Sequence, residues 1–269
     1  MPTFQEKLNT SIQARQSLLC VGLDPDRSRL EGQDMGDFLR DIIDATKDVA
    51  CAYKPNLAFF EALGPDGLRT LKQVRDSIPT DIPVIGDAKR GDIGNTAAQY
   101  ATALFDYFNF DAATINPYLG GDSLEPFLEW GDRGIFLLCR TSNPGARDLQ
   151  DLKVDGVPLY QVVARKAQQE WNRRGNVGLV TGATYPDDIR ILRQICPTMP
   201  FLVPGIGAQA GDLEAAVRAS VDAQGRGAVI NISRGVIFAG KGKEMAAKAR
   251  EAAIDYRDKI NAARQPARK

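Results

Sequence analysis

The sequence predicts a single-domain (β/α)8 barrel, in which eight parallel strands close into a ring inside a layer of helices. Eight short apolar segments alternate with longer amphipathic ones along the 269 residues, and this alternation is typical of a parallel sheet with helical crossovers. The chain is long enough for one such barrel. Polar or glycine-rich residues follow each apolar segment, as expected if all strands end at one rim. A doubly wound open sheet is the alternative.

The eight predicted strands are short and bounded by polar or turn-forming residues. In chain order they are SLLCVGL, ACAYK, PVIGDAK, AATIN, GIFLLCR, VGLVTGA, FLVPG and AVINIS. The segments between them space their apolar residues as amphipathic helices do, and a last helix is predicted at EMAAKAREAAIDYRDKI. No linker marks a second domain, so residues 1–269 are expected to form one domain with a flexible tail from about residue 262.

Composition excludes several classes of function. The 34 basic and 34 acidic side chains balance, which gives no reason to expect nucleic acid or an anionic membrane as partner. No apolar stretch approaches the ~20 residues of a membrane span, and the polar N-terminus does not resemble a signal peptide, so a soluble cytoplasmic protein is expected. Four scattered cysteines predict buried free thiols, and the absence of histidine leaves lysines and carboxylates to move protons.

The segment GDAKRGDIGNT, residues 86–96, crowds charges at the end of the third predicted strand. Asp87 and Lys89 stand two residues apart and should project to the same side, with Asp92 in the following turn. Lys54 ends the second strand and completes an alternating set in which each ammonium has a carboxylate neighbour. Charge at a buried strand end is costly unless it is paired or used, so either a structural ion pair or a functional cluster is expected.

The last two strand ends predict an anion site. PGIGAQAGD, residues 204–212, places a glycine-rich turn before a helix, where backbone N–H groups and the helix dipole favour an anion. Arg234 follows the eighth strand, and barrels often bind phosphate between these two loops. The pattern therefore favours a phosphorylated substrate. It does not fit GxGxxG, so a dinucleotide is not expected.

Taken together, the strand ends resemble the orotidine 5'-phosphate decarboxylase family over essentially the whole chain, and its longer bacterial subgroup most closely. The matching segments are VGLDPD, YKPNLAFFEALG, GDAKRGDIGNTA, TINPYLGGDS, RTSNPGA, PGIGAQ and INISRG. The most specific is GDAKRGD, which contains the family's DxKxxD element. The resemblance implies decarboxylation of orotidine 5'-monophosphate to uridine 5'-monophosphate, in pyrimidine biosynthesis, without a metal or organic cofactor.

The resemblance also implies catalytic roles for the charged cluster. Lys89 would donate a proton to C6 of the pyrimidine, and Asp87 would lie beside the departing carboxylate. Lys54 would link the charges of Asp87 and Asp92. Because members of the family are homodimers with sites at the interface, Asp92 and Thr96 would reach into the partner's site.

The remaining site residues would bind the nucleotide. Lys54 and Asp24 would hold ribose hydroxyls, Ser142 or Thr141 would contact the pyrimidine edge, and Pro204 would pack near the ring. The phosphate would be bound by Gln209, Arg234 and the backbone around Gly207. Asn56 and Asn116, at the ends of the second and fourth strands, complete the expected substrate-binding set.

Two alternatives remain at this stage. Hexulose-phosphate synthase and ketogulonate-phosphate decarboxylase share DxKxxD but depend on magnesium, and they place an acidic metal ligand where this chain has Lys54. The second of them also uses a histidine, which this chain lacks. A catalytically silent phosphate-binding barrel is the other, although it would have little reason to keep both lysines and both aspartates. The long segment ARDLQDLKVDGVPLYQ after the fifth strand has no predicted function.

Overall fold

Eight parallel strands form a ring in the computed structural model, which describes residues 2–206 and 212–265. They are β1 (Leu19–Leu23), β2 (Ala52–Pro55), β3 (Ile85–Arg90), β4 (Ala112–Ile115), β5 (Gly134–Arg140), β6 (Val177–Thr181), β7 (Phe201–Val203) and β8 (Ala228–Ile232). The order around the sheet is β2-β1-β8-β7-β6-β5-β4-β3. Isolated parallel bridges from Tyr53 to Val84 and from Asn56 to Asp87 join β2 to β3 and close the ring. The predicted (β/α)8 fold and its eight strands are confirmed.

Helices surround the ring and connect its strands. They are α1 (Phe4–Arg15), α2 (Met35–Thr46), α3 (Leu57–Glu61), α4 (Gly64–Ser77), α5 (Gly94–Thr102), α6 (Gly121–Leu128), α7 (Arg147–Gln150), α8 (Leu159–Lys166), α9 (Pro186–Ile195), α10 (Leu213–Ser220), α11 (Arg234–Ile237) and α12 (Met245–Arg264). Single π-helical turns, Ala103–Tyr107 and Ala167–Trp171, continue α5 and α8. Between α7 and α8, Lys153–Val154 pairs antiparallel with Val157–Pro158. We call α7 and this hairpin, residues 147–158, the β5 insert.

The chain ends differ from the expectation. α1 was not predicted, because its segment is mostly polar, but Thr3 begins it with a capping box and Phe4 packs edge-on against Phe136 with ring centroids 5.7 Å apart. It covers the amino-terminal end of the barrel, where Ser11 Oγ donates to the Cys51 carbonyl at 2.7 Å. At the other end α12 continues to Arg264, past residue 262, where the flexible tail was expected to begin.

The barrel interior leaves no room for a side chain at Gly178 on β6. A Cβ atom there would lie 2.6 Å from Phe136 Cε1 and 2.7 Å from the Pro200 carbonyl oxygen. The carbonyl belongs to the backbone and cannot rotate away, so an added methyl would force β6 and β7 apart.

Gly178→Ala should therefore lower the free energy of unfolding by about 1–3 kcal/mol through overpacking. The control is Gly131→Ala, because a Cβ there would meet only Arg174 Cδ at an ordinary 3.8 Å. Urea unfolding followed by circular dichroism measures both. Equal unfolding midpoints for the two variants would contradict this account of the core.

Candidate active site

A cavity of about 870 Å³ opens at the carboxyl ends of the strands. Seven strands contribute side chains to its lining, β2 to β8 in order: Lys54, Asp87, Thr114, Leu138, Val180, Leu202 and Asn231, with Lys89 as a second one from β3. The side chains from β2, β3, β4 and β8 are charged or polar, whereas those from β5, β6 and β7 are apolar. The floor is thus divided into a charged half and an apolar half.

Asp87 is the centre of the charged half. Its Oδ2 lies 2.6 Å from Lys54 Nζ, and its Oδ1 lies 2.5 Å from Lys89 Nζ and accepts a 2.9 Å hydrogen bond from Thr114 Oγ1. Asp87 is 8% exposed and Lys54 only 3%. Because both ammonium groups and a hydroxyl contact one buried carboxylate, every charge in the cluster has an opposite neighbour.

The pKa values of the buried pair reflect this pairing. Burial by itself would raise the pKa of Asp87, but the charges of Lys54 and Lys89 outweigh it and hold that pKa well below its ordinary value. Burial would likewise lower the pKa of Lys54, yet Asp87 and Asp24 raise it above its ordinary value. Ionised Asp87 therefore stabilises the fold at any pH above the pKa of an unfolded aspartate, and this contribution is lost as the pH falls through the lower folded pKa.

Lys89 contacts Asp87 as predicted, although its backbone departs from that of a regular strand. Its φ is +48°, and the pairing of β3 with β4 shifts register between Gly86 and Arg90. The Lys89 ammonium nevertheless contacts Asp87, and the Lys89 N–H donates to Thr114 Oγ1 at 2.9 Å. A left-handed lysine is strained, so the contacts of Thr114 and Asp87 must hold it in place.

Most of the predicted site residues lie together. The cavity lining includes Asp24, Lys54, Asn56, Asp87, Lys89, Thr141, Ser142, Pro204 and Arg234. Gly207 and Gln209 lie outside the described residues. Asp24 Oδ1 is buried and has no hydrogen-bond partner in the described part of the chain, so it is free to accept from a ligand.

Three predicted site residues lie outside this lining. Asp92 and Thr96 sit in the turn and helix after β3, and Asp92 Oδ1 accepts the Ile93 N–H at 2.8 Å. Among the ion pairs of residues 2–206 and 212–265, none joins Asp92 to Lys54, so the expected link between them does not form within the chain. Asn116 is exposed and caps a turn by accepting the Tyr118 N–H at 3.0 Å, which places it away from the expected substrate contacts.

Several lining residues were not predicted from the sequence. Thr114 bridges Asp87 and Lys89, and Asn231 is 7% exposed with its Oδ1 unpaired among the described residues. Both lie inside predicted strands, in AATIN and AVINIS, where a polar residue at an inward position is the available signal. Arg29 and Tyr256 also line the cavity, but they come from outside the strands and carry no such signal.

The end of the cavity near β7 and β8 is suited to an anion. Arg234 is the first residue of α11 and is separated from the end of β8 only by Ser233. Gly235 lies so close to α12 that a Cβ would stand 2.6 Å from Tyr256 Oη. Asp212 caps α10 by accepting the Ala215 N–H at 3.1 Å.

The cysteines are free and buried, as predicted. Burial raises the pKa of the Cys51 thiol to about 12. Within residues 2–206 and 212–265, no three His, Cys, Asp or Glu side chains form a group that could bind a metal ion. The same ranges contain no helix that is both long and apolar enough to cross a bilayer.

Comparison with known proteins agrees with this geometry. The sequence pattern of the orotidine 5'-phosphate decarboxylase / HUMPS family matches residues 17–249. Proteins named orotidine 5'-phosphate decarboxylase from Cupriavidus necator and Dechloromonas aromatica are 49% and 51% identical over 267 residues, covering 96% of this chain and 98% of each relative. The structure of Leishmania donovani OMP decarboxylase has a TM-score of 0.89 at 44% identity, covering 98% of this chain and 100% of that one.

These similarities span nearly the whole chain, and the matched range includes Asp87, Lys89 and Asp92. The chain therefore belongs to the orotidine 5'-phosphate decarboxylase / HUMPS family.

Proposed function

We propose that this chain is a carboxy-lyase that converts orotidine 5'-monophosphate to uridine 5'-monophosphate and carbon dioxide. The observation that carries the proposal is the buried Asp87 carboxylate, held by Lys54, Lys89 and Thr114 at the floor of a cavity whose far end offers Arg234. The relatives at 49–51% identity bear the name of this activity.

The proposed chemistry moves one pair of electrons and one proton. The bond from C6 of the pyrimidine to the carboxylate breaks, carbon dioxide leaves, and the electron pair stays on C6. The Lys89 ammonium stabilises that carbanion and then donates its proton to C6. Asp87 repels the substrate carboxylate but no longer does so once that group has left as a neutral molecule, so the interaction favours the transition state over the bound substrate.

The other lining residues bind the nucleotide in this proposal. Asp24 accepts from a ribose hydroxyl through its unpaired oxygen, and Lys54 donates to the ribose. Ser142, with Thr141 beside it, faces the pyrimidine edge, and Pro204 packs near the ring. Arg234 binds the phosphate together with Gln209 and the backbone at Gly207, while Asn56 lines the wall near Lys54.

Two alternatives are less favoured. A magnesium-dependent relative would need an acidic ligand at the end of β2, where Lys54 lies 2.6 Å from Asp87 and would oppose a cation. A barrel that binds phosphate without catalysing a reaction would not need a strained Lys89 beside a buried carboxylate. Strain of this kind persists where surrounding contacts enforce it, and it is commonest at functional sites.

The active form is, in this proposal, a cytoplasmic homodimer in which each chain contributes Asp92 and Thr96 to the partner's cavity. These residues are absent from the lining of their own cavity. Near them, exposed apolar side chains include Ile93 at 58% and Tyr118 at 75%, as expected of an interface. Four buried free thiols suit a reducing compartment.

Lys89→Ala should reduce kcat for orotidine 5'-monophosphate about a thousandfold or more, because it removes both the proton donor and the charge beside C6. The loss of substrate ultraviolet absorbance, followed with EDTA present, measures the rate. Lys166→Ala is the control, since Lys166 pairs with Glu170 on an outer helix.

Full activity in Lys89→Ala would remove Lys89 from the chemistry. If the folded, unaltered protein turned over no substrate, the decarboxylase proposal would fail. Turnover that appeared only on adding magnesium would instead favour the metal-dependent relatives.

Arg234→Ala should lower kcat/KM for orotidine 5'-monophosphate about a hundredfold, the scale of a lost charge-assisted hydrogen bond. Turnover of orotidine, which has no phosphate, should change little. Arg218→Ala is the control, because Arg218 pairs with Glu214 on α10, away from the cavity lining. Near-normal efficiency in Arg234→Ala would contradict the phosphate assignment.

Mixing two inactive variants tests the shared site. Each heterodimer of Asp92→Asn with Lys89→Ala would have one cavity carrying both changes and one carrying neither. Random exchange of subunits should therefore restore about a quarter of the unaltered specific activity. A mixture that stays inactive after verified exchange would show that Asp92 acts in its own chain's cavity.

A further inference from the structure

The β5 insert is bonded directly to the cavity wall. Gln150 Oε1 accepts the Thr141 N–H at 3.0 Å, and Gln150 Nε2 donates to Thr141 Oγ1 at 2.8 Å. Thr141 Oγ1 in turn donates to Asn143 Oδ1 at 2.7 Å. Thr141, Ser142 and Asn143 line the cavity, whereas Gln150 does not. The insert therefore holds this wall from behind.

The direction of these hydrogen bonds is fixed by the backbone. A main-chain N–H can only donate, so the Thr141 N–H requires the oxygen of the Gln150 amide. The amide nitrogen then faces the Thr141 hydroxyl, which must accept there and give its single proton to Asn143. Since Asn143 accepts through Oδ1, its Nδ2 group keeps its two protons for another acceptor.

The insert is itself anchored to the barrel beside this turn. Arg140, the last residue of β5, is 3% exposed, and its Nε donates to Asp188 Oδ2 at 2.8 Å. Its Nη1 lies 2.7 Å from Asp151 Oδ1 as a close charge pair without hydrogen-bond geometry. The Arg140 guanidinium also lies 4.3 Å from the ring centroid of Tyr185. Gln150 is therefore held on a fixed support.

We propose that Gln150 is a positioning residue for recognition of the pyrimidine ring. It sets the Thr141–Asn143 turn so that Asn143 Nδ2 and Ser142 present donors to the carbonyl edge of a planar heterocycle. This inference rests on the proposed function, because it assigns that ring to the orotate and uracil bases. It gives the β5 insert, which the sequence left without a role, a part in base recognition.

Binding of two ligands separates this role from a general structural one. Uridine 5'-monophosphate carries the base and ribose 5-phosphate does not, although both carry the phosphate. In Gln150→Ala, affinity for uridine 5'-monophosphate measured by calorimetry should fall about tenfold, the effect of one to two lost hydrogen bonds. Affinity for ribose 5-phosphate should stay within about twofold, a shift smaller than that of one typical hydrogen bond.

Two further variants complete the test. Lys153→Ala is the control within the insert, because Lys153 is exposed and absent from the cavity lining. Gln150→Glu keeps an acceptor for the Thr141 N–H but cannot donate to Thr141 Oγ1, so that hydroxyl would turn its proton away from Asn143. Gln150→Glu should also weaken the binding of uridine 5'-monophosphate and leave that of ribose 5-phosphate nearly unchanged. It provides the test if Gln150→Ala does not fold.

Equal losses of affinity for both ligands would show that Gln150 is only a structural support, and they would overturn the inference. Unchanged affinity for uridine 5'-monophosphate in both Gln150 variants would overturn it as well. Failure of the unaltered protein to decarboxylate orotidine 5'-monophosphate would count against the proposed function. An active protein that tolerates Gln150→Ala and Gln150→Glu would contradict only the role of the insert.

Discussion

A carboxylate buried between two ammonium groups is the interaction on which the rest of the site depends. Burial alone would raise the pKa of Asp87 and favour its neutral form, and the charges of Lys54 and Lys89 outweigh that effect. Lys54 comes from β2 and Thr114 from β4, so the partners of Asp87 tie together the three strands on this side of the ring. The closing bridge from Asn56 to Asp87 lies at the same point, and barrel closure and charge pairing therefore support each other.

The same constraint explains the irregular end of β3. A regular strand would carry the backbone of Lys89 along the ladder to β4, but the register shifts there and Lys89 turns into the left-handed region. Thr114 offers its hydroxyl both to the Lys89 N–H and to the Asp87 carboxylate, which compensates for the ladder bonds that the bulge removes. Asp87 and Thr114, which fix the position of the Lys89 charge, thus also hold its strained backbone in place.

Periodicity and strand-end polarity were enough to predict the eight strands and the convergence of Lys54, Asp87 and Lys89. They could not predict contacts set by register or by folded loops. Thr114 meets Asp87 only because of how β3 and β4 align, and Gln150 meets Thr141 through a turn that sequence spacing does not define. Asn116 at the end of β4 lies outside the cavity lining, where its side chain accepts the Tyr118 N–H as a local cap, and strand-end polarity alone does not distinguish such a cap from a cavity residue.

The divided floor suits the proposed reaction. Within one chain, Lys54, Asp87 and Lys89 together carry one net positive charge. The Asp92 contributed in the proposed dimer balances it, and a bound substrate carboxylate adds one negative charge. When carbon dioxide leaves, the negative charge is not lost but moves to C6 beside Lys89, so the fixed charges need little rearrangement as the reaction proceeds. The other half of the floor consists of Leu138, Val180 and Leu202, which cannot hydrogen-bond and therefore suit a neutral product better than a carboxylate. A uniformly charged floor would bind the substrate carboxylate more tightly and retain it, whereas this division favours its departure.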